Sequence, residues 1–320
     1  MHNVFDPLSA KALEKHRLRN NANYIGVMML ALEAAMFLLG TLLQGIVQLF
    51  SPNKTAFLLI YSVIYSIGMA LPPIAVSLLT KRRCCPLSPA ESVDPADAFF
   101  GILAAVGICM AANITVNILM AFFESVGIPE PEMPDYLDAN IPSLLLNLFV
   151  FAVLPALLEE LVFRGYVLRS LRAYGDWFAV VVSALLFGLM HGNIAQIPFA
   201  FIVGMALGWL YVATNNIWIP VAVHFVNNGF SLLLQYCTIG LSDTKIGKMN
   251  IFSICTLIVI GALSLAVLVI RRSALFRCLS GKSDLSVTAR IGTIFTSSMF
   301  VVCILVFSLL TVIDVLGSMR

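Results

Sequence analysis

Three polar clusters interrupt otherwise apolar stretches of this 320-residue chain: Glu159-Glu160 with Arg164, Phe187 with His191, and His224 with Asn228. Ionisable groups are costly in hydrocarbon, and where they persist they mark pathways or reaction sites. A carboxylate in a partly dehydrated pocket can take a proton from water, while His or Asn donors stabilise the oxyanion of a tetrahedral intermediate. Alternatively, Glu159, His191 and His224 supply a His₂Glu ligand set for a zinc ion with an open water position. Residue types and spacing leave both chemistries open. Each group also has a structural reading. Glu160 and Arg164, four apart, suit an intrahelical ion pair near the cytoplasmic interface, a single His suits packing, and Glu33 suits a bond to a neighbouring helix. Three clusters in consecutive segments outweigh those readings taken one by one.

The elements that must position these residues are membrane helices. The chain is 60% hydrophobic and 11% charged, with a mean hydropathy of +0.97, whereas soluble domains carry roughly 25% charged residues. Apolar segments recur at 23–50, 56–80, 98–123, 143–168, 177–191, 197–213, 217–237, 251–270 and 291–316. The expected fold is all-α, a polytopic transmembrane bundle of about eight or nine spans. A cytoplasmic segment 1–22 precedes a single membrane domain over 23–320. Segments 177–191 and 197–213 are short for full spans. They are expected to be tilted, or 197–213 to be partly re-entrant around Gly192-Asn193.

A hairpin folded about Gly175 places Glu159 and His191 each 16 residues from the turn, hence at matched depth. His224 and Asn228, like Phe187 and His191, are four apart and project from one side of a helix.

Charge orients the bundle. With nine spans and a cytoplasmic N-terminus, that side receives 15 of the 19 Lys and Arg and the other side four, a strong positive-inside bias. The connection 124–142 has five acidic residues, no Lys or Arg and three prolines before Pro142, which predicts an extended external loop. The basic N-terminus lacks a short apolar core with a small-residue cleavage site, so no cleaved leader is expected. A formal charge of +2 without a basic stripe excludes a nucleic-acid partner. The seven cysteines show no metal spacing and read as small hydrophobes. Cys84-Cys85, after Lys81-Arg82-Arg83, also suit acylation at a membrane edge.

The ordered motifs Glu159-Glu160-Leu161-Val162-Phe163-Arg164, Phe187-Gly188-Leu189-Met190-His191 and His224-Phe225-Val226-Asn227-Asn228 resemble the EExxxR, FxxxH and HxxxN signature of the CAAX prenyl protease and bacteriocin-processing (CPBP, or Abi) intramembrane proteases. The resemblance covers about residues 143–236, the expected catalytic core. Motifs of other intramembrane proteases, such as H-E-x-x-H, G-x-S-G and G-x-G-D, are missing. The resemblance implies that Glu159 activates water with His191 and His224 assisting, that Asn228 stabilises the oxyanion, and that Glu160, Arg164 and Phe187 shape the site.

The substrate it implies is a membrane-associated peptide or protein, for example a lipidated chain or a bacteriocin-like precursor. Eukaryotic members remove the last three residues of prenylated proteins, and bacterial members serve bacteriocin maturation or self-immunity. Some members are non-catalytic scaffolds, so membership does not fix substrate. Short loops and the lack of an added domain resemble a bacterial member, located in the cell membrane. A proton-coupled transporter would use the same residue types, but the paired half-motifs of inverted repeats are missing.

Overall fold

The computed structural model describes residues 7–80, 91–128, 136–276 and 283–318. Cys84-Cys85 lie outside the described residues, as does 129–135 of the acidic loop. Ten helices account for the nine apolar segments: α1 (Pro7–Phe50), α2 (Lys54–Thr80), α3 (Pro95–Ser125), α4 (Ile141–Tyr174, a continuous helical stretch), α5 (Asp176–Leu189), α6 (Gln196–Thr214), α7 (Trp218–Thr238), α8 (Asp243–Ile270), α9 (Val287–Ile294) and α10 (Ser298–Ser318). No strand occurs among the described residues.

Local sequence sets several boundaries. Asp94 caps α3 by accepting from the amides of Ala96 and Asp97, with Pro95 in the first turn. Asn140 caps α4 through the Ser143 amide. Both follow the rule that short polar side chains satisfy the open N–H groups of a first turn.

Among the described residues, seven helices are long and apolar enough to cross a membrane. Two of the nine expected spans fail for different reasons. The 14 residues of α5 rise only about 21 Å, short of a roughly 30 Å hydrocarbon core. α7 has 21 residues, but His224, Asn227, Asn228 and Gln235 dilute its apolar character. Segment 197–213 is a continuous helix of 19 residues rather than a re-entrant loop. α1 runs unbroken from Pro7, so the described part of the N-terminal segment and the first span belong to one helix. The last segment is broken, α9 ending before Ser298 opens α10.

The bundle is arranged around α4. α2 and α7 pack on it, α5 folds back along it, and α6 pairs with α5. α1 joins α2 and α10 on one flank, while α3 pairs with α8 and reaches α6 and α7 on the other. One end is knitted together by polar contacts: Arg172 to Asn215 at 2.8 Å, Asn215 to Glu91 at 2.7 Å, Asp97 to Ser273 at 2.7 Å and Glu14 to Ser283 at 2.6 Å. At the other end Lys54 pairs with Asp138 at 2.9 Å. Arg164, assigned above to the cationic flank, is instead 1% exposed inside the bundle. It is a structural residue of the interior and carries no topological weight.

The α3–α8 crossing depends on two glycines. A Cβ on Gly107 would lie 2.7 Å from the Gly261 Cα, and one on Gly261 would lie 2.6 Å from the Gly107 Cα. Membrane helices gain stability chiefly from such close backbone approach, since lipid offers no hydrophobic driving force between them. Gly261→Val should therefore destabilise the purified protein in detergent by about 1–3 kcal/mol, the usual cost of overpacking. Gly45→Ala, which meets nothing within 4 Å, should leave it unchanged. Equal unfolding midpoints for the two variants would show that the crossing tolerates separation.

Candidate active site

The carboxylates ride on a short α-helical turn between two wider ones. α4 is π-helical over Phe149–Val153 and Leu161–Leu168, and α-helical over Leu154–Glu160. Such widened turns concentrate at functional sites because they re-aim side chains and release backbone groups. Pro155 contributes to this one. It has no N–H to return to the carbonyl of Phe151 four residues back, and that oxygen accepts from Asn228 Nδ2 of α7 at 3.1 Å. The Asn228 oxygen in turn accepts from Asn227 Nδ2 at 3.1 Å. Asn228 is thereby fixed at both ends of its amide, with one N–H of Nδ2 not committed to Phe151.

Glu160 is fully buried. Its Oε1 accepts from Arg164 Nη1 at 3.0 Å and from His224 Nδ1 at 2.9 Å. Arg164 also donates from Nη2 to the Gly204 carbonyl of α6 at 3.2 Å. Its guanidinium carbon lies 4.9 Å from the Phe187 ring centroid, in cation–π range. Gly204 permits this approach, because a Cβ there would sit 3.0 Å from the Ala184 Cα and 3.1 Å from the Phe187 ring. With its Nδ1–H donated to Glu160, His224 turns Nε2 toward Glu159 Oε2, 3.8 Å away. A hydrogen bond at one ring nitrogen sets what the other can do.

Glu159 has a partner that sequence reasoning missed. Tyr65 of α2 donates its hydroxyl to Glu159 Oε1 at 2.6 Å, and both residues are buried. Tyr61 and Tyr65 are four apart on an apolar helix, a repeat that marks one face, but nothing in sequence joins that face to a carboxylate 94 positions later. The Tyr61 and Tyr65 rings stack at 5.8 Å.

Phe187 presents its ring in edge geometry to both imidazoles, at 5.1 Å from His191 and 6.0 Å from His224. His191 lies just past the end of α5, where Gly192 takes a φ of +65°. It remains on the Phe187 side because its Nδ1 bonds the Phe187 carbonyl at 2.8 Å, one of the carbonyls a helix end leaves open.

All seven residues singled out in the sequence are brought together. A cavity of about 170 Å³ is lined by Glu159, His191, His224, Asn228, Phe187 and Tyr65, among others. Glu160 and Arg164 sit behind it. Glu33, on α1, does not line it. Water bound here would meet a carboxylate and an imidazole nitrogen, and a carbonyl oxygen would meet the Asn228 amide. A zinc ion would need Glu159, His191 and His224 converging on one point. Among the described residues, no three His, Cys, Asp or Glu side chains are placed to hold an ion. The arrangement does not fit that ligand set, and no step below passes through a metal.

Residues 141–230 match the family model described as type II CAAX prenyl endopeptidase Rce1-like. The chain is 28% identical over 91 residues to the putative membrane peptidase YdiL of Bacillus subtilis, covering 28% of this chain and 37% of that protein. It is 32% identical over 95 residues to the membrane-embedded CAAX protease MroQ of Staphylococcus aureus, covering 28% and 38%. An uncharacterized 24.3 kDa protein of Escherichia coli is 28% identical over 104 residues, covering 31% and 48%. The similarity thus spans less than half the length of each relative, and no solved structure matches. The matched segment contains every motif residue of the cavity but not Tyr65. Through that segment, the chain is similar to the CPBP family of membrane CAAX-protease-like proteins.

Proposed function

We propose that this protein is an intramembrane peptidase that hydrolyses a peptide bond with Glu159 as general base and no obligatory metal. The observation that carries the reading is the placement of Glu159. One carboxylate oxygen is held by the Tyr65 hydroxyl at 2.6 Å, and the other faces His224 Nε2 at 3.8 Å in a buried cavity. Glu159 removes a proton from water as the oxygen attacks the carbonyl carbon. The free N–H of Asn228 stabilises the oxyanion. Glu159 then passes its proton to the departing nitrogen as the C–N bond breaks. His224, fixed by Glu160, accepts from the same water, and His191 borders the leaving side. The substrate class is a membrane-associated peptide or protein.

The variant series separates these roles. Glu159→Gln should fold normally and lose turnover by at least about 100-fold, the scale of a lost general base. Tyr65→Phe should lower kcat by about tenfold with little change in KM, since its hydroxyl steers the base rather than the substrate. Glu160→Gln should lower stability together with activity, because it strips Arg164 and His224 of a buried partner. Normal turnover in purified Glu159→Gln would remove the assignment.

Metal dependence is tested separately. Activity should survive exhaustive chelation, with no stoichiometric metal by elemental analysis. Loss on chelation and recovery with zinc, together with one zinc per chain that disappears in His191→Ala, would overturn the glutamate-only mechanism.

We also propose that the end bearing Glu14, Asp94, Arg172 and Arg271 is cytoplasmic, which places the N-terminus inside. Among the described residues outside the interior, nine Lys and Arg flank this end and three flank the other, which supports the orientation. Single cysteines at positions 11 and 245 should label from opposite sides of the membrane, and labelling from one side would reject it.

A further inference from the structure

A second cavity, of about 600 Å³, adjoins the catalytic one. The two share Tyr61, Phe199, Asn227 and Asn228, so the larger space lies directly beside the one that holds Glu159, separated from it by these side chains. Its size is that of a ligand site rather than a packing defect. Its lining is aromatic and amide in character, with Gln196 and Gln235 at its exposed rim and Phe57 and Tyr136 stacked at 4.8 Å. None of its described lining residues carries a charge.

Asn227 stands at the junction. It is 5% exposed, and its Oδ1 has no hydrogen-bond partner. One N–H of its Nδ2 is donated to Asn228 Oδ1. A buried acceptor without a partner costs about 1–3 kcal/mol, and its presence in the wall of a cavity beside a catalytic carboxylate marks a place where a ligand supplies an N–H. The nearby Arg164 cannot serve an incoming anion, because it is enclosed by Glu160, the Gly204 carbonyl and Phe187.

We infer that the larger cavity binds an uncharged, extended stretch of peptide internal to the substrate chain, with a backbone N–H donated to Asn227 Oδ1. The cut is then endopeptidic rather than the release of a short C-terminal piece. Three residues in extended form reach about 10 Å, so the carboxylate of a departing tripeptide held in this cavity would lie well beyond His191 and His224, against a described lining that carries no cation. Amide side chains and Tyr61 complement a peptide backbone that continues through the cavity. This inference rests on the peptidase reading above.

The test uses the full-length protein in detergent with N-acetylated random decapeptides. One pool carries a free C-terminal carboxylate and the other a C-terminal amide, products are read by mass spectrometry, and Glu159→Gln is the blank. The expected result is cleavage at internal positions, four or more residues from the C-terminus, at rates within about threefold for the two pools. Products confined to C-terminal tripeptides, arising from the carboxylate pool alone, would overturn the inference while leaving the peptidase reading intact. No Glu159-dependent product from either pool would remove both, a result distinguishable from the first. In support, Gln235→Leu, at the rim and away from Asn228, should raise KM several-fold for both pools with kcat unchanged, and an unchanged KM would count against peptide binding in this cavity.

Discussion

A carboxylate with no exposed surface, inside a bundle surrounded by hydrocarbon, is the constraint to which the rest of the site answers. Glu160 Oε1 takes hydrogen bonds from Arg164 of its own helix and His224 of α7. Removing one partner from such a buried arrangement typically costs about 3–5 kcal/mol, because the other charge is left uncompensated. The pair therefore does more than hold two side chains. It sets the register of α7 against α4, and through the Arg164 bond to the Gly204 carbonyl it sets the position of α6. α7 is tied to Glu160 directly, α6 and α5 by one step through Arg164, and α2 is held instead by the Tyr65 bond to Glu159.

The backbone of α4 is shaped for the same end. A regular helix through 141–174 would satisfy its own carbonyls and leave nothing for Asn228 to grip. Pro155 and the π turns release the Phe151 oxygen, and Asn228 takes it. In a membrane interior every released backbone group must find a partner, so the irregularity and the Asn are complementary. The Asn228 amide, to which the proposed mechanism assigns the oxyanion, is positioned by a defect in the neighbouring helix.

The same balance explains why two helices depart from the rules for spans. α5 is too short to cross and α7 too polar, yet these two present Phe187, His191, His224 and Asn228 to α4. Their polar and truncated character is tolerated because α4 and α6 pack against both and α3 packs against α7, while long apolar helices such as α8 and α10 turn Leu263, Val269, Leu305 and Leu309 outward. Stability is carried by the outer helices and by small-residue contacts such as Gly107 on Gly261. The candidate site is carried by the inner ones.

Much of this was legible in the residues alone. Apolar runs of sufficient length dictate helices, since in lipid a chain must satisfy its own backbone. The three motifs name the polar groups, and the equal spacing of Glu159 and His191 from Gly175 follows from the constant rise of a helix. Sequence did not place Arg164, read as flanking charge, because the difference between an interfacial and a buried arginine lies in what packs over it. Nor did it reveal Tyr65 or the role of Asn227. A tyrosine in an apolar span and an asparagine inside an x position are unremarkable until helices far apart in the chain are brought together. Types, spacing and periodicity are local and survive in one dimension. The hydrogen bond from Tyr65 to Glu159, the orphaned oxygen of Asn227 and the adjoining cavities exist only once α2, α4 and α7 are packed, because each depends on distance across helices that no sequence interval encodes.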